Sequence, residues 1–286
     1  MEHKDEIECP AFFKQRSFVP NEYSALNNPP ALLWTFPGSG NTWARMIIES
    51  GTGFFSGALY DDSSLRTVFP GEGKCGPNVV IVKSHHKIEE IRQFSNNCHI
   101  KPFNRAIVII RDPFDAIFAE YQRLWLTENK RRDDSHFGKI SASQFKIDHF
   151  KQKLPELCRW YHRLESHDYP IFLSDHGANS ILFIKFENLT HPSSSESFFQ
   201  IIEKMLNFTM KNFNPSIYSN RLSRLDCVLH TANRSDIKRE SNSSAEVVIT
   251  RDFVYSNHPQ IVCQIWSLVG MDAEKHGYKP FGGISC

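Results

Sequence analysis

An α/β domain of three layers, with a central mainly parallel sheet flanked by helices, is what this 286-residue chain predicts. Three features carry that expectation. Four apolar runs lack the polar alternation of a half-solvated sheet, helical patterns lie between them, and the links are short. The length is enough for a substantial core. The reading is a polar lead-in over residues 1–30 followed by one domain over residues 31–280.

The elements follow in order. Residues 1–30 are polar and contain Pro20, Pro29 and Pro30. Residues 31–36 form a short apolar run stopped by Pro37, which reads as a buried strand. Residues 42–50 place Trp43, Ala44, Met46, Ile47 and Ile48 on a helix with much of its surface covered. A second strand is expected over Val79-Val80-Ile81-Val82, stopping at Lys83, and a third over Ala106-Ile107-Val108-Ile109-Ile110, stopping at Arg111. Residues 113–129 read as a helix because Pro113 suits a first helical position. Residues 143–166 carry Phe145, Phe150, Leu154, Leu157, Trp160, Tyr161 and Leu164 at helical spacing. A fourth strand, Ile181-Leu182-Phe183-Ile184, ends near Lys185, and residues 196–206 and 259–276 are further helices. The segments 129–141 and 231–246 are polar without periodicity and read as solvated loops; in an α/β enzyme such loops also close over a site at the strand ends.

Composition narrows the partners. A net charge of +1 gives no global attraction to nucleic acid or an acidic membrane, so an anion must be held by local donors. No run of about 18 apolar residues is present, so no membrane span is expected. The first residues lack the apolar core of a signal peptide. The seven cysteines include no C-x-x-C pair, which argues against zinc; free thiols, or one to three bridges, are expected. Sequons at Asn188, Asn207, Asn233 and Asn242 are compatible with either surface asparagines or passage through the secretory pathway.

The chemistry starts at LLWTFPGSGNTWARM, residues 32–46. A strand, a glycine-containing turn and a helix make a P-loop-like anion cradle. The first amides of a helix lack intrahelical acceptors, lie at the positive end of the macrodipole, and can be approached closely past glycine. The candidate binding residues are Pro37, Gly38, Ser39, Gly40, Asn41, Thr42 and Trp43, with Trp43 either against a base or in the core. The spacing and lysine of a nucleoside triphosphatase loop are missing, so the bound phosphate is not expected on a magnesium triphosphate. Lys83-Ser84-His85-His86 follows the second strand and Arg111-Asp112-Pro113 the third. Ligands of open α/β sheets gather at these carboxyl ends, so a lysine, a histidine and an arginine are expected to converge there.

These segments resemble the sulfotransferases that use 3′-phosphoadenosine 5′-phosphosulfate (PAPS). Thr35-Phe36-Pro37-Gly38-Ser39-Gly40-Asn41-Thr42-Trp43 is similar to that family's 5′-phosphosulfate loop. Val82-Lys83-Ser84-His85 resembles its V-K-T-H segment, and Ile110-Arg111-Asp112-Pro113-Phe114-Asp115-Ala116 its 3′-phosphate segment. Phe186-Glu187-Asn188-Leu189 resembles Y-E-D-L, and His276-Gly277-Tyr278 the closing G-Y. Residues 36–45, 49–61 and 112–123 are closer to the WSC-domain-containing sulfotransferases, although the Cys-rich WSC module is not in this sequence. The family's loop lysine is Gly38 here, its serine eight residues after the 3′-phosphate arginine is Ala119, and its late R-K-G-x-x-G segment is missing.

The resemblance implies transfer of a sulfuryl group from PAPS as co-substrate to an acceptor hydroxyl or amine, releasing PAP and needing no metal. By analogy with Golgi relatives the acceptor is a carbohydrate or glycoprotein. His85 is the candidate general base, since an imidazole changes charge near neutral pH. Lys83, on the same side of an extended strand as His85, would neutralise the transferring group. Arg111 would grip the 3′-phosphate, bidentately where geometry allows, with Lys238 or Arg239 replacing the missing late segment. Lys83 or Arg45 would stand in for the absent loop lysine, and Phe186 is assigned to the core. Golgi relatives carry an N-terminal anchor that this sequence does not show, so the expected location is Golgi membrane or lumen if residues precede Met1 and cytoplasm otherwise. A catalytically silent PAP(S)-binding relative and a kinase or nucleotidase with an atypical phosphate loop are the competing readings.

Overall fold

The computed structural model describes residues 16–21, 29–98, 101–129, 140–190, 195–211, 213, 228 and 249–280. Among the described residues five strands form one parallel sheet in the order β2-β3-β1-β4-β5, with β1 Ala31–Trp34, β2 Gly57–Ala58, β3 Ile81–Ser84, β4 Ala106–Ile110 and β5 Ile181–Lys185. Helices cover both faces, as the unbroken apolar runs predict. Leu32, Trp34, Ala106, Val108 and Ile110 point to one face. There they meet α3 (Pro113–Glu128), α4 (Ile147–Arg163) and α9 (Pro259–Glu274) through Ile117, Leu154, Leu157, Ile265 and Val269. Ala31, Leu33, Ile107 and Ile109 point to the other face, against Ala44, Ile47 and Ile48 of α1 (Asn41–Thr52) and Ile202, Met205 and Leu206 of α7 (Ser195–Met210). Alternate residues therefore serve two separate apolar layers, as a period of two requires.

Further α-helices among the described residues are α2 (Ile88–Asn97), α5 (Tyr169–His176), α6 (Phe186–Thr190) and α8 (Arg251–Asn257). From β1 the chain moves to one side of the sheet, through β2 and β3, and then returns to the other side at β4. That reversal opens a crevice at the carboxyl ends of β1 and β4, the position where such sheets take ligands.

Several boundaries differ from the sequence reading. The second expected strand starts at Ile81, because the Val79 and Val80 amides turn to Gly76 and Phe55 carbonyls. The helix expected over residues 143–166 starts at Ile147, after a turn in which the Gln144 and Phe145 amides donate to the Ser141 carbonyl. It then passes through a π turn, Leu164–Asp168, into α5. Pro170 lies in the first turn of α5 and lacks an amide proton, so the wider turn there gives up no hydrogen bond at that residue. Residues 16–21 of the lead-in pack onto the domain: Ser17 bridges Phe54, and Val19 is buried. Most of the loop over 129–141, and all of 231–246, lie outside the described residues.

A buried ionic chain runs from this segment toward the sheet edge. Arg16 pairs with Glu49, which also accepts the Ser56 amide at 2.8 Å. Arg45 donates to the Ser56 hydroxyl at 2.7 Å, pairs with Glu72, and lies 3.9 Å from the Phe69 ring centroid. Charges without solvent persist only when each is paired, and these are. Cys75 and Cys98 form a disulfide linking the turn after β2 to the end of α2, and Cys263 is also disulfide-bonded. Cys158 is a free, buried thiol, and burial pushes it up to about 12, which makes it inert. Among the described residues no helix is long and apolar enough to cross a membrane.

Candidate active site

The turn between β1 and α1 is built as an amide cradle. Ser39 is buried and its amide closes on the Phe36 carbonyl at 3.2 Å. Gly38 has φ +81° and Gly40 φ +101°, in the left-handed region that glycine adopts without cost. Gly40 gives α1 no side-chain cap. The first helical amide to bond back is that of Ala44, to the Gly40 carbonyl at 3.0 Å. The amides of Gly40, Asn41, Thr42 and Trp43 donate to no acceptor among the described residues. They present four donors at the positive end of a twelve-residue helix. Beside them the buried Thr35 hydroxyl has no partner among the described residues and can also donate, while the buried Asn41 Oδ1, an acceptor, is likewise unpartnered. The four amides and the hydroxyl fit an anionic group such as a phosphate or sulfate.

His85 converges on this loop. Its Nδ1 lies 2.8 Å from the Thr35 carbonyl oxygen. A carbonyl only accepts, so the proton sits on Nδ1 and the basic lone pair is on Nε2. The Asn41 side-chain nitrogen is 3.5 Å from the same Nδ1. Two donors would face each other there, and turning the Asn41 amide over brings its unpartnered Oδ1 toward the imidazole N–H.

Arg111 reaches the other side of the loop and donates from Nη1 to the Gly38 carbonyl at 2.7 Å. Its guanidinium lies 4.7 Å from the Phe186 ring centroid. Phe186, expected in the core, is half-buried and covers Gly40 so closely that a Cβ there would collide with its ring. Desolvation lowers the Arg111 pKa against the opposing pull of Asp115, Glu187 and Asp112. Asp112 is committed to the start of α3, where Oδ1 accepts the Phe114 amide at 3.0 Å and the Asp115 amide at 3.4 Å. Glu187 Oε1 accepts the Asp112 amide at 3.2 Å, and Tyr278 donates its hydroxyl to Glu187 Oε2 at 2.6 Å. The two short motifs around Glu187 and Tyr278, visible in the sequence without a role, thus meet beside Arg111.

Lys83 and His85 flank the same aromatic ring. Lys83 Nζ is 4.9 Å from the Tyr60 centroid, and Tyr60 stacks on His85 with centroids 6.0 Å apart. Lys83 is buried, and its nearest anion is Glu72 Oε1 at 3.9 Å, an oxygen with no hydrogen-bond partner. Burial pushes the Lys83 amine down to about 8, against the pull of Glu72. Tyr60 and Glu72 were not singled out in the sequence: Tyr60 falls within residues matched to a family, and Glu72 sits in an unremarkable Gly-Glu-Gly. Arg45, offered as a substitute for the loop lysine, is wholly buried with Ser56, Glu72 and Phe69, and so serves the interior.

Trp43 is half-buried, donates to the Leu189 carbonyl at 3.4 Å, and packs against two apolar clusters. Lys238 and Arg239 lie outside the described residues. The late basic residue that does stand beside the Arg111 turn is Arg251, whose Nη1 is 3.4 Å from Asp112 and 3.5 Å from Asp115. Elsewhere Glu89, His167 and Asp168 gather a potential ligand set. Arg163 bonds Glu89 at 2.9 Å and lies 3.4 Å from Asp168, so a guanidinium takes the place a cation would need.

Comparison with known proteins gives a partial likeness. The chain is similar to WSCD family members. It is 36% identical over 132 residues to WSCD family member CG9164 of Drosophila melanogaster, covering 45% of this chain and 37% of that protein. WSCD family member GA21586 of Drosophila pseudoobscura pseudoobscura aligns with the same identity and coverage. WSCD family member AAEL009094 of Aedes aegypti is 37% identical over 92 residues, 32% of this chain and 26% of that protein. The chain thus spans between 26% and 37% of the length of these curated relatives. No family model matches. A crystal structure of mouse sulfotransferase SULT7A1 complexed with PAP aligns with 90% of this chain and 92% of its own, at 12% identity and a TM-score of 0.43.

Proposed function

We propose that this chain is a sulfotransferase domain that moves a sulfuryl group from PAPS to an acceptor hydroxyl or amine and releases PAP. One observation carries the reading: the unpaired amides of α1, the imidazole of His85 and the guanidinium of Arg111 meet around one loop at the sheet's carboxyl edge. The motif resemblance supplies the identity of the anion.

PAPS brings the activated sulfuryl group, so the chain's work is positioning and charge stabilisation. The amides of residues 40–43 hold the phosphosulfate, with Ser39, Asn41 and Thr42 adding side-chain donors. Arg111 binds the 3′-phosphate. His85 Nε2 takes the acceptor proton as the new S–O or S–N bond forms and the bond to the PAP phosphate breaks. Lys83 supplies positive charge beneath Tyr60. The proposed acceptor is a carbohydrate or glycoprotein.

Transfer of labelled sulfate from PAPS to panels of glycans, proteins and small alcohols tests the reading. Product in the presence of a chelator supports it; magnesium-dependent ATP turnover without sulfuryl transfer removes it. Arg111→Ala is expected to weaken PAP binding about 10- to 100-fold, the value of a charge-assisted hydrogen bond. Unchanged affinity by calorimetry would strip Arg111 of its role. The engagement of Lys83 with Glu72 favours a second reading, a domain that binds PAP(S) without transferring. PAP binding combined with silence across the acceptor panel would establish that alternative.

A further inference from the structure

We propose that Glu187 is a positioning residue that sets Arg111 for its ligand, with Tyr278 completing the clamp; this rests on the Arg111 assignment above. Glu187 is the second residue after β5 and uses both carboxylate oxygens. Oε1 takes the Asp112 amide at 3.2 Å, and Oε2 takes the Tyr278 hydroxyl at 2.6 Å. Asp112 is the residue after Arg111, and its own side chain already caps α3. The peptide that carries Arg111 is therefore pinned from two sides. Tyr278 lies 3.3 Å from the Ile110 carbonyl as well, but it has a single phenolic proton, and the shorter contact to the carboxylate takes it.

The preceding residue acts on the same arginine. Phe186 places its ring against the Arg111 guanidinium and over Gly40. Two consecutive residues after β5 thus fix the backbone and the side chain of Arg111. Tyr278, just beyond α9, ties this arrangement to the C-terminal helix. The Phe186-Glu187 pair and the closing Tyr278 become parts of one device, although 91 residues separate Glu187 and Tyr278.

Charge alone predicts the opposite effect, which makes the proposal testable by sign. Glu187 is among the anions acting on Arg111. A carboxylate near a phosphate site repels the phosphate, so if Glu187 acted only through charge its removal would tighten anion binding. If it positions Arg111, removal weakens binding in spite of that relief, and only for ligands that use Arg111.

The experiment is calorimetric titration of the full chain with PAP and with adenosine 5′-monophosphate, which lacks the 3′-phosphate. Glu187→Ala is expected to weaken PAP about tenfold and to leave the monophosphate nearly unchanged. Glu187→Gln keeps a carbonyl acceptor for the Asp112 amide and is expected to recover most of the loss. Equal or tighter PAP binding by Glu187→Ala overturns the proposal, as does an equal loss for both nucleotides. Arg111→Ala, run in parallel, separates the two levels. If it leaves PAP affinity unchanged, the underlying assignment fails and this proposal with it. If it loses affinity while Glu187→Ala does not, this proposal alone fails. Should Glu187→Ala not melt cooperatively, Tyr278→Phe decides, since it deletes one hydroxyl and must show the same nucleotide-selective loss.

Discussion

Replacing His85 by Ala is expected to slow sulfuryl transfer by about 10²- to 10⁴-fold and to leave PAP affinity nearly unchanged, the range a general base contributes. The asymmetry follows from the site. In the proposed assignment the α1 amides and Arg111 grip the nucleotide, whereas the imidazole acts on the acceptor. The Thr35 carbonyl orients His85 through Nδ1, which puts the basic lone pair on Nε2. The measurement pairs single-turnover transfer to the acceptor found by the labelled-sulfate screen with PAP calorimetry. His85→Asn serves as a control, because its amide can donate to Thr35 but cannot take a proton. Transfer at the wild-type rate in either variant would remove His85 as base, and a parallel loss of PAP affinity would make it a structural residue. Lys83 adds a pH signature. Burial brings its amine down to about 8, so its charge is lost as the pH rises through that value; transfer is expected to fall on the alkaline side, and Lys83→Arg to move that fall upward.

Four of the five strands and the loop were legible in the sequence because their signals are local, whereas β2 is two residues long and leaves no pattern. An apolar run rich in β-branched residues and stopped by a basic residue located β4 and Arg111 to the residue, and Pro113 marked the start of α3. α2 was passed over although Ile88, Ile91, Phe94 and Cys98 carry helical spacing, since the segment around them is polar. What stayed hidden depends on pairing across the chain. Arg45 reads as a free cation beside the loop until Glu72 and Ser56, brought by the β2 edge, enclose it. Glu72 reads as a loop acid until Lys83 is found 3.9 Å away. The Cys75–Cys98 bridge has no motif, because a separation of 23 residues is set by where β2 and α2 come to rest. Periodicity and turn chemistry report neighbours along the backbone and say nothing of which buried charges answer one another.

The same distinction changes the meaning of Gly38, where sequence alone suggests a lost catalytic lysine. Restoring that residue, Gly38→Lys, is expected to abolish tight PAP binding, with affinity falling about 100-fold or more. Two costs add. Gly38 has φ +81°, where a side chain costs about 1–2 kcal/mol. A Cβ there would collide with the Ala116 carbonyl oxygen and lie 3.1 Å from both the Ala119 Cβ and the Glu120 amide, an overpacking of about 1–3 kcal/mol. The loop can escape only by lifting off α3, which withdraws the Gly38 carbonyl from Arg111 and tilts the amides of residues 40–43. About 3 kcal/mol spent on re-forming the cradle is roughly a 100-fold rise in Kd. Ala119 belongs to the same contact, so Gly38 and Ala119, the two departures from the sulfotransferase motifs that the sequence resembles, are a single packing solution: a bare loop residue resting on a small residue of α3. Gly38→Ala carries the same Cβ without the ammonium, and matching losses in the two variants would trace the effect to the backbone. Tighter PAP binding by Gly38→Lys would instead show that the loop admits the lysine, and that Gly38 marks a site which has given up part of its charge.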